Sequence, residues 1–186
     1  MPPPVVPLPD DAYARALRLL GQRAHLRAAL RRKLLQRGFD ADEVDAALDR
    51  VAAAGYLDDA RTAQQLAEEG QSRRGWGKAR VKAELVRRGA GGAAIDAALA
   101  GTSDEAEIAR ARDLAARWRR TNRAVGPDAS AKLEASLSAA QRAALARHLD
   151  RKGFSRRAIF AALSEAGAAT ELDLESLDGP ATDPAD

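Results

Sequence analysis

The chain has 186 residues, 46% hydrophobic but only 4% aromatic, with 30 Lys or Arg against 27 Asp or Glu and no cysteine. The missing cysteine excludes a disulfide framework and a thiolate metal site, and no run approaches the roughly 20 apolar residues a membrane-spanning helix needs. Dominance of Ala, Leu, Arg and Glu predicts an all-α protein, and so few aromatics favour small helical modules over one large core.

In chain order, residues 1–11 form a proline-rich tail without the basic and long apolar stretches of an export signal, so a soluble, cytoplasmic protein is expected. The run "DAYARALRLLGQRAHL" then places Leu17 and Leu20 on one helical face and leads into "LRRKLLQRGFDADEVDAAL" (30–48). Next, "LDDARTAQQLAEEGQSRR" carries the stripe Ala63, Leu66 and Ala67, and precedes "VKAELVRRGAGGAAIDAAL" (81–99). A third run, "SDEAEIARARDLAARWRR", starts at Ser103 and has Ile108, Ala111, Leu114, Ala115 and Trp118 as its apolar stripe. It leads to "LARHLDRKGFSRRAIFAAL" (145–163).

The three later segments share one ruler, counted from Gly38, Gly89 and Gly153. Aliphatic residues stand eight and four before each glycine: Leu30 and Leu34, Val81 and Leu85, Leu145 and Leu149. A basic residue immediately precedes each glycine. Val44, Ile95 or Ile159 stands six after it, and then Ala47-Leu48, Ala98-Leu99 or Ala162-Leu163. Apolar residues four apart share a helical face, glycine closes a helix in the left-handed conformation, and the preceding cation suits the negative end of the helix dipole. Asp40, Gly91 and Ser155 are placed to cap the second helix of each segment, Asp40 with Glu43 as a partial capping box, and Ser138 with Gln141 opens another.

This pattern predicts three tandem three-helix repeats, at residues 12–57, 58–102 and 103–167, stacked into an elongated, curved molecule. The marker glycines stand 51 and 64 residues apart, so the third repeat holds an insertion near 121–136, where Gly126-Pro127-Asp128 marks a turn. Residues 168–186 form an acidic tail expected to be disordered.

The formal charge of +3 hides an asymmetry, because six acids fall after residue 167 and leave residues 1–167 at +9. A basic body suits a polyanion or an acidic protein surface, although any single cation is more often solvated surface. The candidate strip comprises Arg31 and Arg32 in repeat one; Arg73, Arg74, Lys78, Lys82, Arg87 and Arg88 in repeat two; and Arg147 and Arg151 in repeat three. Arg80 is expected to pair with Glu84 instead.

The stretch "RRGWGKARVKAELVRRG" (73–89) lacks the Ser or Thr and the preceding strand of a phosphate loop, so Gly75 and Gly77 are read as turn residues. Trp76 fits two readings, base stacking or, the preferred one, packing in the gap between repeats one and two. Tyr56, Leu57, Asp58 and Asp59 read as the joint between those repeats, with the tyrosine packed and the acids capping the next helix. His25 and His148 lack a third ligand at metal spacing, and no catalytic constellation or cofactor motif stands out.

Three stretches carry a family resemblance: "ALRLLGQR…LRRKLLQRGF" (16–39), "GYLDDARTAQQL" (55–66) and "GWGKARVKAELVRRG" (75–89). Over about residues 12–167 the chain resembles the RecX family of recombination regulators. It departs at Lys78, where the family usually has proline, at Val81 in place of isoleucine, and at Arg23-Ala24-His25-Leu26 in place of an Arg-x-x-Ser motif. The resemblance implies a non-enzymatic binder of the RecA filament on single-stranded DNA that lowers strand exchange, ATP hydrolysis and co-protease activity in DNA repair and the SOS response. The expected partners are the RecA filament and, weakly and without sequence preference, single-stranded or duplex DNA, with no membrane, small-molecule substrate or cofactor, the protein itself being a monomer. A direct DNA reader of helix-turn-helix type is the alternative.

Overall fold

The fold is described from a computed structural model over residues 11–122 and 137–165. The described residues form nine α-helices and no strand: α1 (Ala12–Gln22), α2 (Arg27–Leu35), α3 (Ala41–Ala53), α4 (Asp59–Ser72), α5 (Lys78–Arg88), α6 (Gly92–Ala100), α7 (Asp104–Thr121), α8 (Ala139–Arg151) and α9 (Arg156–Glu165). In sequence they make three successive helix triplets, with α2, α5 and α8 as the middle helices. The expected insertion turn near 121–136 and the acidic tail at 168–186 lie outside the described residues, apart from Thr121 and Asn122.

Short-range chemistry sets the helix ends. Asp11, Ser103, Ser138 and Ser155 each accept from the amide three residues on, and Gln141 returns a bond to Ser138, completing the capping box. Asp40 caps α3 at the Asp42 amide, but its box with Glu43 does not form. Glu43 Oε1 accepts instead from the Ala12 amide at 3.0 Å, tying the start of α3 to the start of α1. Each middle helix stops at a glycine in the left-handed region: Gly38 at φ 88°, Gly89 at 88° and Gly153 at 79°.

The described residues divide into two compact units. One holds those up to Glu69 together with Lys82–Gly101, the other Gly70–Val81 together with those from Thr102 on. The core of the first unit joins Ala12, Ala16 and Leu19 of α1 to Leu30 and Leu34 of α2 and to Val44, Ala47, Leu48 and Val51 of α3. The second unit buries Ala111 and Ala115 of α7, Leu145, Ala146 and Leu149 of α8, Phe154, and Ala158, Ile159, Ala162 and Leu163 of α9. Ile108, Leu114 and Trp118 pack against that core from α7.

The joint at 56–59 differs from expectation. Gly55 at φ 77° closes α3 and the Tyr56 amide bonds back to the Val51 carbonyl, which leaves the tyrosine 62% exposed. Leu57 packs against the core in its place. Asp58 caps α4 through the Arg61 amide, whereas Asp59 accepts from the Arg27 amide at 2.7 Å, at the first turn of α2.

That last bond belongs to a device that occurs once in each unit. In the first, Asp59 holds the leading amide of α2 while Gly89 lies so close that a Cβ there would be 2.7 Å from Ala28 Cβ. In the second, Glu107, only 3% exposed, accepts from the Lys78 amide at 2.9 Å, and Gly153 abuts Arg80 on the first turn of α5. Two main-chain bonds lock this second contact, from the Gly77 amide to the Lys152 carbonyl at 2.8 Å and from the Ala79 amide to the Gly153 carbonyl at 3.1 Å. A carboxylate and a glycine corner thus seat on the first turn of a middle helix, where free amides need acceptors.

Candidate anion-binding surface

Residues 73–81 belong to the second unit, whereas Lys82–Arg88, the rest of α5, belong to the first, and the backbone of residues 76–79 is closely engaged. Gly75 turns the chain at φ 62°. The amides of Trp76, Gly77, Lys78 and Ala79 donate to Gly70, Lys152, Glu107 and Gly153 respectively. With these four successive amides committed inside the fold, the loop cannot wrap a phosphate with them. An anion must meet its side chains.

Trp76 is half-buried and packs within its own triplet, on α4, where a Cβ at Gly70 would approach its Cε3 to 2.8 Å. Small size at Gly70 makes the seat. The Arg74 and Arg80 guanidiniums lie 4.9 and 5.2 Å from the ring centroid, within cation–π range. Arg80 Nη1 donates to the Arg151 carbonyl and Lys152 Nζ to the Arg74 carbonyl, so these cations meet at one place although far apart in sequence. Arg73, Lys78, Arg147 and Arg151 have exposed side chains in the same unit, with Arg147 one turn before Arg151 on α8.

The expected Arg80–Glu84 pair is absent. Glu84 accepts from Arg87 at 2.7 and 2.8 Å and from Arg88 at 2.6 Å, and these bonds, that from Arg87 foremost, hold its carboxyl down at about 2. A carboxylate N-terminal to its cation suits the helix better than the reverse order, and two such cations outcompete Arg80. In the first unit Arg31 makes a bidentate bond to Asp45 at 2.8 and 3.0 Å, which lowers the Asp45 carboxyl below its ordinary value, and Arg27 pairs with Asp49. Of the candidates in that unit, Arg31, Arg87 and Arg88 therefore have internal carboxylate partners, while Arg32 and Lys82 are exposed. A concavity of about 580 Å³ runs along Ala28, Arg31, Arg32, Leu35 and Gln36. All five lie on α2 or its C-cap, so it is an open flank and not a pocket of groups converging from several elements.

Sequence spacing does not give the partners of Arg80, Lys152 and Glu107, which lie 71, 78 and 29 residues away. Glu107 did leave one signal, a carboxylate beside an apolar stripe. His25 is 7% exposed, and burial, then Lys33 and Arg23, press its pKa down to about 4, so it stays neutral in the fold. Among the described residues no three His, Asp or Glu gather as metal ligands, and no helix is long and apolar enough to cross a membrane.

The profile for the first three-helix domain of RecX matches residues 12–50, and that for the second three-helix domain matches residues 58–99. A regulatory protein RecX from Pseudomonas fluorescens is 36% identical over 149 residues, covering 80% of this chain and 87% of the relative. One from Mycobacterium avium is 40% identical over 116 residues, 61% of this chain and 67% of the relative. The crystal structure of RecX from Lactobacillus salivarius superposes with a TM-score of 0.69 at 17% identity, covering 83% of this chain and 94% of that one, a likeness of fold.

Proposed function

The chain belongs to the RecX family, and from that premise we propose that it is a non-catalytic, monomeric cytoplasmic regulator that binds the RecA filament on single-stranded DNA and lowers its strand exchange, ATP hydrolysis and co-protease activity. The observation that carries the reading is the cationic cluster of the second unit, where the Arg74 and Arg80 guanidiniums lie over Trp76 and Lys152 bonds the Arg74 carbonyl, beside the exposed Arg73, Lys78 and Arg151. Side-chain cations on a fixed backbone suit a phosphodiester chain or an acidic groove. Since the loop amides are engaged, contact runs through guanidinium and ammonium groups, which favours weak, salt-sensitive, sequence-blind DNA binding. The remaining candidates Arg31, Arg32, Lys82, Arg87, Arg88 and Arg147 contribute to binding as well, those with internal carboxylate partners least.

The test is RecA ATPase and strand exchange at substoichiometric ratios of this protein, using the recombinase of the same source. Inhibition of both is expected. No effect on either refutes the reading, and a footprint at one duplex site without recombinase would replace it with direct DNA recognition.

A further inference from the structure

The second unit also carries a groove between α7 and α9, lined by Arg112, Ala115, Ala116 and Arg119 from one helix and Ala162 and Glu165 from the other. It measures about 80 Å³, far below the several hundred of a small-molecule site and suited to one aliphatic side chain. Its floor is alanine methyls and its rim is cationic. Arg112 Nε lies 2.7 Å from Glu165 Oε2. Arg119 stands seven residues on, along the same face, with no carboxylate partner among the described residues.

Glu165, on the lining of this groove, is the last described residue, so the remaining sequence is tethered there. The remaining C-terminal sequence contains no Lys or Arg and alternates acids with leucines: Glu171, Leu172, Asp173, Leu174, Glu175, then Leu177 and Asp178. The six residues from Glu165 to Glu171 reach up to about 20 Å, and the seven from Arg112 to Arg119 cover only about 10 Å of helix. Tethering also gives such a segment an effective concentration on the order of millimolar, so contacts too weak for a separate peptide suffice.

We propose that residues 171–178 of the same chain dock in the α7–α9 groove. A leucine fills the alanine floor and a carboxylate takes Arg119, extending the ion pair Glu165 already makes with Arg112. Docking withdraws these two arginines from any polyanion and leaves the cations around Trp76 open to one. Such docking does not depend on the recombinase reading.

Disulfide trapping tests it in the full-length chain, which has no cysteine of its own. Ala116→Cys with Leu174→Cys is equilibrated in a glutathione buffer and the intrachain disulfide is quantified by mass spectrometry. The control pairs Leu174→Cys with Gln64→Cys, an exposed site on α4. The groove pair should form at an effective concentration at least about tenfold above the control. Adding Arg112→Glu and Arg119→Glu should bring it down to the control while helicity by circular dichroism holds. Replacing Leu174→Cys with Leu172→Cys or Leu177→Cys covers the neighbouring registers. Equal trapping at both sites in every register overturns the proposal, as does trapping that ignores the charge reversal. A disulfide-linked dimer in place of the intrachain product overturns it too.

Discussion

Gly77→Ala is the most direct test of how the second unit is built. A Cβ at residue 77 would lie 2.2 Å from the Gly153 carbonyl oxygen and 2.4 Å from the Phe154 amide nitrogen. These are backbone atoms with no rotamer to change, so the α5 turn and the α8 corner must separate. The φ of Gly77 is not positive, so alanine suffers no conformational strain of its own and the cost is purely steric. Over-packing of this kind costs about 1–3 kcal/mol. Separation also breaks the bonds from the Gly77 and Ala79 amides, each worth about 0.5–1.5 kcal/mol net. The expected loss is therefore about 2–6 kcal/mol by urea denaturation, with fast hydrogen exchange at the Ala79 amide. Gly38→Ala is the comparison, because Gly38 has a left-handed backbone with nothing within 4 Å of its Cβ position, and only the strain of about 1–2 kcal/mol applies. If Gly77→Ala stays within about 0.5 kcal/mol of the parent and Ala79 exchanges slowly, the glycine contact does not hold the unit together.

Glu107→Ala leaves the Lys78 amide without its acceptor in a buried site and should cost about 1–3 kcal/mol by urea denaturation, while Glu107→Gln keeps an acceptor oxygen and should recover most of it. His25, held at about 4 against an ordinary 6.5, takes a proton more readily in the unfolded chain, so stability is full above about pH 6.5 and falls as the pH drops toward 4. His148, also lowered, contributes with the same sign, so His25→Leu should flatten the urea midpoint across that window without abolishing its slope. Glutamate at Arg73, Arg74, Lys78 and Lys82 together should weaken filament and DNA binding and shrink its salt dependence while the circular dichroism spectrum stays put. An equal drop in helicity would mean these side chains are structural.

The helices and their ends are legible because the signals are local. Alanine and leucine at four-residue spacing, a glycine after the last turn and an N-capping residue two further on act within one or two turns, and chain order alone sets their geometry. Leu30, Leu34, Val81, Leu85, Leu145 and Leu149 are accordingly at most 1% exposed. Where expectation and structure part, a side chain's local option has lost to a competing one. Glu43 has a capping box within reach and bonds Ala12 instead, 31 residues away. Asp59 stands where it could cap its own helix, yet it serves α2. Arg80 has Glu84 one turn on, but that carboxylate prefers the two arginines C-terminal to it. Of the candidate surface, the residue types and their stretch are legible. The meeting of Arg74 and Arg80 with Lys152 and the Arg151 carbonyl is not, since no intrahelical spacing encodes it.

The second unit also divides its labour between main chain and side chain. Residues 76–79 dock through amides, and the close fit at Gly77 and Gly153 depends on side chains being absent. The exposed side chains of Arg73 and Lys78 stand outside that contact, so their charges are separable from folding. Arg80 is the exception, because its guanidinium serves both the ring of Trp76 and the Arg151 carbonyl. Reversing its charge should therefore lower stability and binding together, whereas reversal at Arg73 and Lys78 should lower binding alone. A contact built from backbone and glycine leaves the surrounding surface free to carry whatever charge its partner requires.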